Sequence, residues 1–112
     1  MHIRHLIIAT LLFLGAAASA EMVTLVRAYE IAVSELTLPA TESGTVSFKD
    51  CESCDRLTIP VTTATRYILN KHDVPLDEFK AAVRSILDRD TNITTVMHHL
   101  ESDTITAVMV VK

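Results

Sequence analysis

Tryptophan is absent from this 112-residue chain, and glycine, cysteine and proline occur only two, two and three times. Beyond residue 20 a single glycine remains, Gly44, with four aromatics: Tyr29, Phe48, Tyr67 and Phe79. So few rings must first fill a core, which leaves no stacked aromatic platform for sugars or bases. No run of lysine or arginine occurs either. Phosphate backbones are bound by clustered cations, so the sequence predicts no nucleic-acid partner. Calcium-loop spacing with its glycine bend is missing, as is the strained Gly-x-Ser-x-Gly nucleophile turn. Catalysis has no positive support.

What is present begins with an address. Arg4 supplies a positive start, residues 6–18 form an apolar run broken only by Thr10, and Ala18-Ser19-Ala20 completes a small-x-small cleavage pattern. Residues 1–20 are predicted to be a cleaved signal peptide, and 21–112 one small exported domain, periplasmic or secreted. The run falls short of the roughly 20 apolar residues that span a bilayer, so no stable membrane insertion is expected after cleavage. Nine basic and fourteen acidic residues follow it, a net charge of −5. Acidity argues further against nucleic acid and anionic lipid.

Thirteen threonines follow residue 20, among many valines and isoleucines, a composition suited to pleated, half-buried surfaces. Strands are expected over 28–36, 45–49, 57–62 and 66–70. A helical stripe through Met22, Leu25, Val26, Tyr29, Val33 and Leu36 competes with the first of these. Pro60 lacks an amide donor and is assigned to an edge or a bulge. Leu76, Phe79, Val83 and Ile86 recur at helical spacing, with Asp77 and Glu78 in the first turn, and residues 88–92 end that helix. Residues 93–100 and 104–112 read as a hairpin turning at Ser102-Asp103. That register pairs Leu100 with Ile105, His98 with Ala107 and Val96 with Met109, and sets His99 beside Thr106 on the opposite face.

The fold class is therefore α+β, a mainly antiparallel sheet or small barrel with one helix between the fourth and fifth strands. From Gly44 onward the strand order is that of an OB-like five-stranded barrel. Gly44-Thr45-Val46, the Cys51 and Cys54 turn, Thr62 through Arg66-Tyr67, Asn70, and Leu76 with Phe79 follow in sequence. In these motifs the chain resembles a loose group of uncharacterised small bacterial exported domains. The resemblance implies a β-rich fold and export, and carries no activity. One position departs from it: Lys71 follows Asn70, where such turns prefer glycine.

Cys51 and Cys54 are the only cysteines. In an oxidising compartment they predict a disulfide staple across a turn. A thiol-exchange centre needs a depressed thiol pKa, and Asp50, Glu52 and Asp55 oppose it. A metal site, with zinc or cuprous copper on Cys51, Cys54 and one of His98 or His99, has only half of a tetrahedral set in one motif. His98 is expected to face the sheet interior as a hydrogen-bonded core residue, and His99 to face out. No cofactor is expected. These features point to an exported, non-enzymatic accessory or binding domain, acting on a protein or small-molecule partner through a strand edge or polar β-surface. The alternative is a periplasmic metal-binding or thiol-redox protein centred on the cysteine turn. Intact mass of the exported protein is expected to place the mature N-terminus at Glu21; a chain retaining residues 1–20 in the membrane pellet overturns the localisation.

Overall fold

The computed structural model describes residues 25–112, so the leader and residues 21–24 lie outside the description. The elements are β1 (Val26–Ala32), a 3-10 turn (Val33–Glu35), β2 (Thr45–Lys49), β3 (Arg56–Leu69), β4 (His72–Val74), α1 (Leu76–Arg84), β5 (Ile93–His99) and β6 (Thr104–Val110). The strands form one mixed, curled sheet in the order β1-β5-β6-β3-β2, with β4 on the far half of β3. Only β3 and β6 run parallel. One α-helix, between β4 and β5, completes the described residues.

The inward residues of each strand meet inside the curl. Val46, Phe48, Val96 and Val108 are fully buried, and Ile31, Ile59, Val61, Tyr67 and Ile105 nearly so. Tyr29 of β1 and Phe48 of β2, on opposite edges of the sheet order, bring their rings to 4.9 Å. Past β1 the chain crosses to β2, where Thr37 and Ser47 exchange backbone hydrogen bonds of 2.8 and 3.0 Å. Gly44 allows this region to close. A Cβ there would meet the Pro39 ring and the Thr41 carbonyl, each at 3.2 Å.

The helix caps the core with the expected stripe. Leu76, Phe79 and Val83 are buried, Ile86 is buried just beyond the helix end, and Phe79 lies 5.6 Å from Tyr67, centroid to centroid. The helix stops at Arg84, short of residues 88–92. Ser85 explains the early stop, because its N–H and its hydroxyl both donate back to the Ala82 carbonyl. Asp77 and Glu78 in the first turn and Arg84 in the last complement the helix dipole.

Three further expectations need correction. The first strand ends at Ala32 and not at 36, because Val33 turns into the core and the chain must leave β5 to reach β2. The expected strands 57–62 and 66–70 are one bent strand, β3. Its ladder to β6 breaks between Val61 and Arg66, and threonine hydroxyls replace the lost bonds. Thr62 N–H donates to Thr65 Oγ1, Ala64 N–H to Thr62 Oγ1, and the Thr65 hydroxyl to the Ile105 carbonyl. Pro60 pairs with Thr45 one residue before this irregularity, its nitrogen directed away from β2.

The final hairpin has a different register. His98 pairs with Ile105, His99 with Thr104, Met97 with Ala107 and Val96 with Val108. Thr106 is the extra residue of a bulge, and residues 100–103 make the turn, with Asp103 at a φ of 52°. The bulge turns Val108 inward and Met109 outward, reversing their expected places.

Between β3 and β4 the two-residue turn holds Asn70 and Lys71 at φ 51° and 72°. Both values suit a type I′ hairpin, in which the second position favours glycine. A lysine there carries the left-handed steric penalty of about 1 kcal/mol or more. Lys71→Gly is expected to stabilise the domain by about 0.5 to 1 kcal/mol, a rise of several degrees in Tm. A lower Tm by calorimetry would show that the lysine makes a compensating contact.

Candidate functional site

Antiparallel pairing directs alternate backbone groups to opposite sides of a strand. Val33 N–H donates to Asn92 on the β5 side, and Leu100 N–H to Leu25. The odd residues of β1 therefore face β5, while the backbone N–H and C=O groups of Ala28 and Glu30, and the N–H of Ala32, face the free edge. On β2 the Thr37–Ser47 bridge uses one position of its outer edge. Above it the 3-10 turn carries the chain away, and the backbone of Lys49 is left facing the seam.

β1 and β2 thus approach at the Tyr29–Phe48 contact and the Thr37–Ser47 bridge, but share no ladder of their own. Between them lies an open cleft of about 350 Å³. Glu30, Ile31, Ala32 and Glu35 form one wall, and Lys49, Asp50, Cys51 and Glu52 the other. Arg27 crosses the rim, 3.6 Å from Asp50 and over the Tyr29 ring at 5.0 Å. That ion pair is exposed on both sides and contributes little to stability. Among the described residues, Glu30, Glu35 and Glu52 have no ion-pair partner.

Cys51 and Cys54 stand at disulfide distance at the tip of the β2–β3 hairpin, Cα atoms 5.0 Å apart. Cys54 N–H donates to the Cys51 carbonyl at 3.2 Å, a turn that brings the two together. The pair staples one rim of the cleft. Asp50, Glu52 and Asp55 flank it in sequence; Arg56 donates to Ser47 Oγ and Arg27 faces Asp50, which leaves Lys49, among the described residues, as the one cation beside the pair on the cleft wall.

His98 faces inward, with Nε2 2.7 Å from Asp103 Oδ1 and its ring 6.3 Å from Tyr29. It ties the β5–β6 turn to the core. His99 is half-buried on the outer face, Nδ1 3.0 Å from Ser102 Oγ. Neighbouring strand residues point to opposite faces, so the two rings do not converge. No three His, Cys, Asp or Glu side chains among the described residues are placed to hold a metal ion. Among the described residues, the buried hydroxyls of Tyr67 and Thr94 and the Nδ1 of His98 have no hydrogen-bond partner. Burial, then the negative charge of Glu42, pushes the Tyr67 phenol above its ordinary pKa, so it keeps its proton.

The sequence places the cysteines and both histidine faces, and marks the acids around the cysteine turn only as opposing a thiolate. Glu30 and Glu35 carried no signal, since they join the cysteine turn only once β1 and β2 are side by side. Replacing both cysteines with serine is expected to lower stability by at most about 2 kcal/mol, because the closed loop is four residues long. In a graded glutathione buffer the pair is expected to stay oxidised, since surrounding acids disfavour the attacking thiolate. A midpoint near that of strong disulfide oxidants, or stoichiometric zinc or copper on the purified protein, would replace the staple with a redox or metal centre.

Comparison with known proteins finds no matching family model, no matching curated protein and no matching solved structure. None of the three identifies the chain with a group of exported domains.

Proposed function

We propose that this chain is an exported, non-enzymatic binding domain with an OB-like barrel left open at one seam, and that the seam takes an extended segment of a partner protein. The single observation carrying the reading is the free β1 edge: a row of backbone donors and acceptors lining a cleft instead of covered by β2. An exposed edge is a template for pairing, and addition of a strand to one is a recurring mode of peptide recognition. Export is supported by the leader pattern and by a cysteine pair at bonding distance, which suits an oxidising compartment. The barrel reading is supported by a strand order that returns on itself through the Thr37–Ser47 bridge.

A thiol-redox or metal role at Cys51 and Cys54 is the second reading, favoured by the exposure of Cys51 at the rim. The acids around it speak for the staple.

Ala32 offers a clean test. Its φ of −58° already matches proline, and its N–H faces the seam. Ala32→Pro is expected to leave Tm unchanged or slightly higher while removing one edge donor and filling its approach. With the photocrosslinker benzoylphenylalanine replacing Lys49, partner adducts are expected to form in the export compartment and to disappear when Ala32→Pro is added. The same crosslinker replacing Leu87, which is 95% exposed, should not form these adducts. Adducts at position 49 that survive Ala32→Pro, or none at all, overturn strand addition at the seam.

A further inference from the structure

The chemistry of the seam specifies its occupant further, in an argument that rests on the open-edge reading above. Three unpaired carboxylates, Glu30, Glu35 and Glu52, face one ammonium, Lys49, while Asp50 is already matched by Arg27. An added strand would lie against β1 over about five residues, from Ala28 to Ala32. Its side chains would alternate. One set would lie over the cleft floor at Ile31, which calls for apolar residues, and the other beside Glu30 on the outer face. A partner strand bearing carboxylates would meet like charge there, and an uncharged one would leave three acids unmatched in a narrowed cleft.

We infer that the β1–β2 seam recognises an extended peptide segment of alternating basic and β-branched residues, presented by a partner protein and added to β1 as a further strand. The backbone edge supplies the affinity common to any strand, and the glutamates select the cationic one. A free cation would use only the second half of this arrangement. The edge groups of Ala28, Glu30 and Ala32 are meaningful only for a ligand that has a backbone of its own.

Three blocked pentapeptides separate the possibilities: Lys-Val-Lys-Val-Lys, Thr-Val-Thr-Val-Thr and Glu-Val-Glu-Val-Glu, each titrated into the purified chain and followed by amide NMR. The lysine peptide is expected to shift and protect the amides of Ala28, Glu30 and Ala32, and to bind more weakly as salt rises. Combining Glu30→Gln with Glu52→Gln is expected to weaken it about fivefold, the worth of two exposed ion pairs. Ala32→Pro is expected to abolish it. If the threonine or glutamate peptide moves the same amides equally well, the seam still accepts strands and the cationic selectivity is wrong. If no peptide moves them, the open-edge reading falls as well. Spermidine shifting Glu30 and Glu52 while the lysine peptide leaves the three edge amides still would make the acids a polycation site and overturn strand addition.

Discussion

Two backbone hydrogen bonds between Thr37 and Ser47 join the end of the β1 segment to β2 and turn a curled sheet back upon itself. Without them β1 and β2 would be remote edges of a five-strand row. With them Tyr29 reaches Phe48, Val33 is sealed at zero exposure, and the inward faces of all the long strands enclose one apolar core. A chain with four aromatics and one glycine after residue 20 has little else with which to curl its sheet around a core. Burial of β-branched residues on a curved sheet does most of the stabilising, at about 25 cal/mol for each Å² of apolar surface removed from water.

The same bridge accounts for the seam. β1 pairs with the whole of β5, whose first residue is Ile93, so the chain leaves the ladder there and crosses to β2 through the 3-10 turn at Val33–Glu35. Below that turn the edges are joined, and above it they diverge. The cleft is thus a geometric remainder of closure with too few residues on β2, which is only five residues long. Natural sheets usually cover or charge such an edge. Here the edge is ringed by carboxylates, and that charge is at once protection against indiscriminate pairing and the basis for selecting a basic partner in the proposal above.

Bending of β3 is the second structural device. A fourteen-residue strand serves β2 with its first half and β6 and β4 with its second. Changing partners midway breaks the ladder, and a buried unpaired backbone group is costly. Thr62 and Thr65 supply hydroxyls at the break, so the strand bends without separating into two. The run from Thr62 to Tyr67 is therefore the bend of the strand. Its arginine faces out to pair with Asp73 at 3.0 Å, and its tyrosine faces in against Phe79.

Local patterns were legible in the linear chain. The stripe of Leu76, Phe79, Val83 and Ile86, the inward face of His98, the alternation through Ile59 and Val61, and the turn that brings Cys51 to Cys54 all depend on neighbours a few residues away. The length of β1, the continuity of β3, the bulge at Thr106 and the register of the last hairpin were not legible. Each is decided by a partner far along the chain: Ser47 for Thr37, Ile105 for Val61 and Thr65, Val108 for Val96. The candidate site belongs to the second group. Glu30 and Glu35 acquire meaning only beside Lys49 and Glu52, and that juxtaposition comes from closing the sheet. Sequence alone determined the inward faces up to the bulge of β6 and where the helix forms, because side-chain period is a local property of the backbone. Tertiary structure alone decided which edge stays open, because an edge is free only with respect to strands that could have covered it.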